Sequence, residues 1–334
     1  MEIDFRAEIE RLKEKLDVTV VAHYYQRDEV FEVADITGDS LELARRSKAD
    51  ASPWVVFAGV GFMGQSVKVI APEKRVLMPK IACCAMARMI DGSYFDESVA
   101  YMERHGIKKE DILPITYINS DASVKAKVGE MGGLVCTSSN AYKIIEKGLE
   151  SGKKILFVPD RCLGQNFAIQ MGLKSCVIDE TNEETCDPNE ADIICFNGFC
   201  SVHQLFTVDD IEFYRHKFPG IKIAVHPECD PAVVQASDFA GSTSQLIQYV
   251  NALDPEQKVA IGTEYNLVNR MREKNTYVLS STKPECPTMN ETTLEDLYLT
   301  LKSIEDEKPI NEIVVDPHVI KYANLALERM LEIK

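Results

Sequence analysis

The chain has 334 residues, of which 45% are hydrophobic and 27% are charged, a composition typical of an ordered globular protein. Its 53 acidic and 37 basic residues give a formal net charge of −16, which argues against a nucleic-acid-binding protein. The sequence contains no run of about 18 apolar residues, so no membrane-spanning helix is expected.

The first segment, residues 1–16, has apolar side chains at the spacing of an amphipathic helix and lacks the apolar core of a signal peptide. We therefore expect a cytoplasmic protein. Because cytoplasmic thiols stay reduced, the ten cysteines are expected to be core residues, ligands or redox groups rather than disulfides.

After this helix, short apolar segments alternate with helical patterns in three similar sets. The first segments of the three sets are 18–26, 112–120 and 221–229. The second segments are 54–66, 133–141 and 236–245, and the third are 75–84, 154–164 and 258–266. Two sets continue with a fourth segment that leads to a cysteine, at 191–200 and 275–286.

This alternation predicts parallel sheets with helices on both faces, in three similar three-layer α/β lobes. The predicted lobes are 1–111, 112–220 and 221–334, the last with a C-terminal helix. Functional groups of open parallel sheets gather beyond the carboxyl ends of the strands, so three lobes that turn these ends inward would share one polar site. The residues predicted at these ends are His23, Tyr24, Tyr25, Tyr117, Asn119, Ser138, Ser139, His226, Glu228, Ser242 and Thr243.

Three turns place hydroxyl or carboxylate side chains just before a helical stretch, in TGDSLELARR, CTSSNAYKIIEKG and GSTSQLIQYV. Helix capping explains each turn by itself, but several helix N-termini at strand ends also favour an anionic substrate. The sequence has no P-loop motif. The segment GVGFMG at 59–64 lacks an acidic residue about 20 positions later, which disfavours a nicotinamide cofactor.

Acid–base residues are predicted at the same strand ends. A histidine in the position of His23 or His226 is more often a structural hydrogen-bonding residue than a catalyst. Glu228 lies two residues after His226, and an imidazole and a carboxylate together can share acid–base work. Tyr25 offers a phenol able to donate or accept a proton.

Three cysteines, Cys84, Cys200 and Cys286, each follow a predicted strand, one in each lobe. Cys286 precedes a proline, as in many iron–sulfur ligand runs, whereas Cys200 and His203 have a spacing that zinc also uses. Three thiolates on a [4Fe–4S] cluster would leave one iron open as a Lewis acid. The spacing alone leaves an iron–sulfur cluster, a zinc site and buried thiols as alternatives.

The chain closely resembles the quinolinate synthase family in motifs that span almost its whole length in family order. These motifs are AHYYQ, GDSLELAR, GVGFMGQS, YINSDASVKA, VCTSSNA, GFCSVHQ, HPEC, DFAGSTSQLI, IGTEYNLVNRM, CPTMNETTLEDLY and ALERML. The resemblance implies three related α/β lobes in a pseudo-threefold arrangement around a central [4Fe–4S] cluster.

The resemblance also implies the cluster ligands. The family's C-x-M-A motif selects Cys84, C-x-x-H selects Cys200, and the cysteine before Pro-x-M-N is Cys286. Cys83 is then expected to be only a neighbour of a ligand. Cys162 stands where the family more often has a polar residue, and it competes with Cys200 for the second position.

The activity implied is the condensation of iminoaspartate with dihydroxyacetone phosphate to quinolinate, with release of phosphate and water, in de novo NAD biosynthesis. An L-aspartate oxidase or an aspartate dehydrogenase is the expected supplier of the imino acid. The catalytic residues implied are Tyr25 and Glu228, as proton shuttles, with His23 and His226. The substrate-binding residues implied are His23, Ser40, Tyr117, Asn119, Ser138, His226, Glu228, Ser242 and Thr243.

Two other classes of function remain as alternatives. A hydro-lyase would keep the [4Fe–4S] cluster and use its open iron to dehydrate a small hydroxy acid. An iron–sulfur sensor or a solute-binding protein would be non-enzymatic, but no DNA-binding or partner-binding module and no export signal is visible in the sequence.

Overall fold

The computed structural model describes residues 3–178, 186–271 and 275–333. Its first sheet contains the parallel strands β1 (Val18–His23), β2 (Ile36–Gly38), β3 (Trp54–Ala58) and β4 (Arg75–Leu77), in the order β2-β1-β3-β4. The helices of this part are α1 (Phe5–Leu16), α2 (Asp28–Phe31), α3 (Ser40–Ala49), α4 (Gly61–Ile70) and α5 (Gly92–Arg104).

The second sheet contains the parallel strands β5 (Ile112–Tyr117), β6 (Leu134–Cys136), β7 (Lys154–Val158), β8 (Ser175–Ile178) and β9 (Ile193–Phe196), in the order β6-β5-β7-β9-β8. Its helices are α6 (Ala122–Glu130), α7 (Ala141–Leu149) and α8 (Arg161–Met171).

The third sheet contains the parallel strands β10 (Lys222–Val225), β11 (Phe239–Ala240), β12 (Val259–Gly262) and β13 (Thr276–Val278), in the order β11-β10-β12-β13. The remaining helices are α9 (Val208–Lys217), α10 (Pro231–Ala236), α11 (Thr243–Ala252), α12 (Tyr265–Arg270), α13 (Leu294–Glu305) and α14 (Pro317–Glu332).

The three sheets share the arrangement of four strands, in which the second strand of each lobe lies beside the first and the third follows on its other side. The next position is taken by β4, β9 and β13, and β8 adds a fifth strand at the edge of the second sheet. All residues of β1, β5 and β12 are buried, as expected for parallel strands with helices on both faces. The predicted fold of three similar parallel α/β lobes is therefore confirmed.

The predicted equivalence of strands between lobes is wrong in the first lobe. The counterpart of β6 and β11 is the three-residue strand β2, which no predicted segment contained, and 54–66 instead supplies the third strand, equivalent to β7 and β12. The edge strand β8 was also not predicted. A strand of three or four residues at a sheet edge leaves too short an apolar run for its pattern to be recognised.

The last two helices pack outside the third sheet, although the sequence assigned them to the third lobe. Helix α13 packs on α1 and β3 of the first lobe, and α14 packs on α6, β6 and α4. A Cβ atom at Gly129 of α6 would overlap the carbonyl oxygen of Tyr322, so the absence of a side chain allows this close approach. The lobe boundaries at 111 and 220 stay predictions.

One pair of cysteines departs from the expectation of free thiols. Cys176 on β8 forms a disulfide with Cys186, because the edge strand brings their Cα atoms to 5.6 Å. The other eight cysteines are free.

Within the described residues, no helix is both long enough and apolar enough to cross a membrane.

Candidate active site

A cavity lies where the carboxyl ends of the three sheets meet. Twelve of the thirteen residues predicted for the site line it: His23, Tyr25, Ser40, Cys84, Tyr117, Asn119, Ser138, Cys200, His226, Glu228, Thr243 and Cys286. The exception is Ser242, which is fully buried and caps α11 through reciprocal hydrogen bonds with Gln245. Nine of the eleven residues predicted at strand ends therefore line one cavity, whereas Tyr24 and Ser242 do not.

A chain of hydrogen bonds crosses the cavity wall and joins the three lobes. Glu228 accepts a hydrogen bond from the Tyr117 hydroxyl on Oε1 and lies 2.9 Å from His203 Nδ1 through Oε2. His203 Nε2 lies 3.1 Å from the hydroxyl of Thr263, which in turn lies 2.9 Å from the hydroxyl of Tyr25. The hydroxyl of Tyr25 is therefore connected to the carboxylate of Glu228 by a continuous series of hydrogen bonds through Thr263 and His203.

The carboxylate of Glu228 is ionised in this setting. Burial by itself would raise its pKa, but His203 and the hydrogen bonds from His203 and Tyr117 lower it well below its usual range. Burial and the nearby charge of Glu228 raise the pKa of both Tyr25 and Tyr117 well above the ordinary value. Both phenols are therefore proton donors at neutral pH.

Two buried histidines are neutral. Burial lowers the pKa of His23 to about 4 and that of His226 to about 3. His23 Nδ1 accepts the backbone N–H of Tyr25 at 3.1 Å, and His226 Nδ1 accepts that of Glu228 at 3.3 Å. Each ring therefore carries its proton on Nε2, and that of His226 lies 3.3 Å from the hydroxyl oxygen of Ser138.

Asp39, the residue directly after β2, lines the cavity and contacts the other two lobes. Its Oδ2 accepts hydrogen bonds from Ser139 of the second lobe at 3.1 Å and from Ser244 of the third lobe at 2.6 Å. Its Oδ1 accepts from the backbone N–H groups of Leu41 and Glu42 and so caps α3. The cap predicted for this turn thus also joins the three lobes.

The three cavity cysteines occupy equivalent places in the three lobes. Each follows the strand in the fourth position of its sheet, β4, β9 or β13. Each also accepts at its carbonyl oxygen the N–H of the residue four positions on, which is Arg88, Gln204 or Asn290. Burial raises the pKa of each thiol, to about 12 for Cys84. A hydrogen bond from the backbone N–H three residues later opposes this increase, and the donors are Ala87, His203 and Met289.

The two competing cysteines lie elsewhere. Cys83 is exposed and Cys162 is fully buried, where its sulfur accepts a hydrogen bond from Gln204 at 3.4 Å. Neither lines the cavity. This placement favours Cys84 over Cys83 and Cys200 over Cys162.

Sequence reasoning missed four residues of the site. Asp39 was seen only as part of a capping turn and His203 only as a zinc alternative. Thr263 and Glu264 were included in a strand segment and a family motif but were not predicted as site residues. Glu264 is fully buried, and its carboxylate accepts the backbone N–H of Cys286 at 3.3 Å. Their position in the sequence could have identified Thr263 and Glu264, because both residues directly follow the buried strand β12.

Comparison with known proteins covers almost the whole chain. The profile of the family described as quinolinate synthetase A protein matches residues 7–332. The chain is 53% identical to the quinolinate synthase of Helicobacter pylori (strain ATCC 700392 / 26695), over 99% of this chain and 98% of that protein. It is 39% identical to the quinolinate synthase of Streptomyces coelicolor, over 98% and 88%, and 38% identical to that of Geobacillus thermodenitrificans, over 98% and 93%.

Proposed function

Since the chain belongs to the quinolinate synthetase A family and is an enzyme of that type, we propose that it condenses iminoaspartate with dihydroxyacetone phosphate to quinolinate, with release of phosphate and water, in de novo NAD biosynthesis. The observation that carries the proposal is the convergence of one thiol from each lobe with neutral donors, phenols and an ionised carboxylate in one cavity.

The thiols of Cys84, Cys200 and Cys286 fit a [4Fe–4S] cluster. All three are free, and all three line the same cavity. A backbone N–H at each sulfur partly opposes the burial that raises the pKa of the thiol, and binding to iron would supply the remaining stabilisation of the thiolate. A cluster held by three cysteines supplies an iron without a protein ligand, which acts as a Lewis acid toward a substrate oxygen.

Anionic substrates match the donors of the cavity. Iminoaspartate has two carboxylates, and dihydroxyacetone phosphate has a phosphate. His23 and His226 present Nε2–H groups, and Ser40 and Thr243, the first residues of α3 and α11, present hydroxyl groups in the same cavity. These donors are uncharged and bind the carboxylates and the phosphate by hydrogen bonds. They act locally, whereas the net charge of −16 of the chain repels anions at long range.

Proton transfers are assigned to two residues. Glu228, ionised and in the cavity wall, accepts a proton from substrate carbon or nitrogen, and Tyr25, with its raised pKa, donates one to a leaving hydroxyl. Tyr117 holds Glu228 in place through their hydrogen bond.

The test is an anaerobic assay of the chain after cluster reconstitution, with iminoaspartate generated by an L-aspartate oxidase or an aspartate dehydrogenase. We expect quinolinate, identified by chromatography, in proportion to the triose phosphate consumed. Phosphate release without quinolinate would reject the proposal in favour of the hydro-lyase, and a chain that takes up neither iron nor sulfide would reject the cluster.

A further inference from the structure

Three potential metal ligands of different chemical kinds meet in the wall of the cavity. One ligand atom each from Cys200, His203 and Glu228 lies within 4.8 Å of the other two, and the described residues contain no second group of three such side chains. His203 and Glu228 are buried, and all three residues line the cavity. Only the tertiary structure unites them, because Glu228 is 25 residues beyond His203.

The donor set is that of a zinc site. Zinc takes one sulfur, one nitrogen and one oxygen at about 2.0–2.3 Å in a tetrahedral arrangement, so neighbouring ligand atoms lie about 3–4 Å apart. His203 Nδ1 and Glu228 Oε2 are already 2.9 Å apart. The fourth position of an ion held by these three ligands would be left to water. The sulfurs of Cys84, Cys200 and Cys286 form no such close group among the described residues, so a single ion does not bridge all three.

The surroundings hold these ligands in a metal-binding orientation. Ligating histidines generally bond their second ring nitrogen to another group, and ligating carboxylates are hydrogen-bonded in turn. His203 Nε2 lies 3.1 Å from the Thr263 hydroxyl, and the second oxygen of Glu228 accepts from Tyr117. A thiolate and a carboxylate also balance the charge of Zn²⁺, which favours the ion in a buried site.

We propose that the cluster-free chain binds one zinc ion through Cys200, His203 and Glu228. We further propose that zinc and the [4Fe–4S] cluster exclude each other because both require the sulfur of Cys200. The second statement rests on the proposed function, which makes Cys200 a cluster ligand; the first does not. Zinc would then keep newly made or damaged chains in an inactive state until it is removed.

The first experiment measures binding of Zn²⁺ alone to the reduced cluster-free chain by competition with a chromophoric chelator. We expect one ion per chain. His203→Gln and Glu228→Gln should each weaken binding at least tenfold, since even loss of an outer hydrogen bond to a ligand costs about 10–100-fold. Cys84→Ala and Cys286→Ala are the matched controls and should bind zinc normally while failing to hold a cluster.

Cobalt(II) substitution reports the ligands directly. We expect the charge-transfer absorption of one cobalt–thiolate bond, lost in Cys200→Ala and kept in Cys84→Ala. Absorption of three such bonds, or equal loss of zinc in Cys84→Ala, would show that the ion uses the cluster cysteines and would overturn the site. Absence of stoichiometric zinc binding in the parent chain would overturn it as well. Circular dichroism of each variant identifies misfolded protein. If a variant fails to fold, the absorption spectrum of the cobalt-loaded parent chain still shows how many thiolates bind the ion.

The exclusion is tested by cluster reconstitution of the zinc-loaded chain. We expect little iron and sulfide uptake until a zinc chelator is added, and full uptake afterwards. Full uptake with zinc retained would refute the exclusion but not the zinc site. Failure of the zinc-free chain to take up iron would count against the proposed function alone, because zinc binding is measured without any cluster.

Discussion

At the scale of single residues, the environment of each group decides its protonation state. Tyr25 and Tyr117 keep their protons because they are buried beside Glu228, whereas Glu228 loses its proton because donors surround it. Opposite shifts in neighbouring groups are typical of acid–base pairs in active sites. We therefore expect the largest loss of turnover when the proton donor Tyr25 or the proton acceptor Glu228 is replaced.

Tyr25→Phe and Glu228→Gln remove a transferable proton or a base and keep the side-chain shape. We expect each to lower turnover by about 10²–10⁴, the usual contribution of a general acid or base, with iron and sulfide content unchanged. Steady-state kinetics of reconstituted protein measures the loss. Near-normal turnover in both variants would mean that these residues only orient the substrate.

The cysteines give a second residue-scale prediction, in which neighbours in sequence behave differently. We expect Cys84→Ala, Cys200→Ala and Cys286→Ala each to abolish the visible absorbance of the cluster and the activity. Each removes one of three ligands and opens the iron and sulfide to water and oxygen. Iron, sulfide and absorbance are measured after reconstitution without oxygen.

The matched controls for the cysteine variants are Cys83→Ala, which changes the exposed neighbour of Cys84, and Cys162→Ala, which changes a buried thiol of the second lobe. Both should keep a full complement of iron and sulfide. A cluster that survives Cys84→Ala but not Cys83→Ala would move the first ligand by one residue. A cluster lost in Cys162→Ala but kept in Cys200→Ala would replace the second ligand.

At the scale of elements, α6 supports the loop that presents Asn119 to the cavity. Lys125 is fully buried in this helix, and its Nζ donates to the carbonyl oxygens of Ile118, at 2.8 Å, and of Ser120. The same ammonium lies 5.4 Å from the ring of Phe62 in the first lobe. Burial lowers the pKa of Lys125 to about 7, so its hydrogen bonds rather than an ion pair hold it in place.

Lys125→Met keeps the length of the side chain and removes its donors. We expect the free energy of unfolding to fall by about 1–3 kcal/mol, because buried carbonyl oxygens lose their partner, and KM to rise as the Asn119 loop shifts. Urea denaturation and steady-state kinetics measure the two effects.

The control is Lys127→Met on the same helix, whose ammonium pairs with the exposed carboxylate of Asp96. An exposed pair contributes about 1 kcal/mol or less, so this variant should be close to the parent protein in both measurements. Equal effects of the two substitutions would contradict the assignment of a loop-positioning role to Lys125.

At the scale of the whole molecule, the first two lobes and α14 share one large hydrophobic core, and the first lobe forms a second core with α1 and α13. The third lobe has two cores of its own. The third lobe also meets the others through polar ties such as Asp39 with Ser244 and Tyr25 with Thr243. The last helix therefore stabilises the pairing of the first and second lobes, although it follows the third lobe in sequence.

Leu327→Ala tests this role of α14, because the side chain is fully buried in the shared core. We expect a loss of about 2–5 kcal/mol in the free energy of unfolding, from lost burial and the cavity left behind. Val314→Ala, at a residue 84% exposed just before the helix, is the control and should change stability by about 0.5 kcal/mol or less. Similar small losses in both variants would show that the helix contributes little to the core.

The class of fold was accessible from sequence because periodicity and burial are local properties. The apolar runs at β1, β5 and β10 and the helical patterns between them predict parallel sheets in three lobes, and the strand-end rule then predicts that His23, Tyr117 and His226 converge. The cluster cysteines and the reaction came from the family resemblance, since spacing alone left several metal centres open.

The tertiary structure decided what depends on contacts between segments far apart in sequence. It made β2 the partner of β1, placed α14 on α6, joined Cys176 to Cys186, and put Glu228 beside both Tyr117 and His203. No local pattern encodes these contacts, because each depends on how three lobes pack. The sequence by itself therefore determined which residues end the strands, and only the packing of the lobes decided which of those residues touch and what their protonation states are.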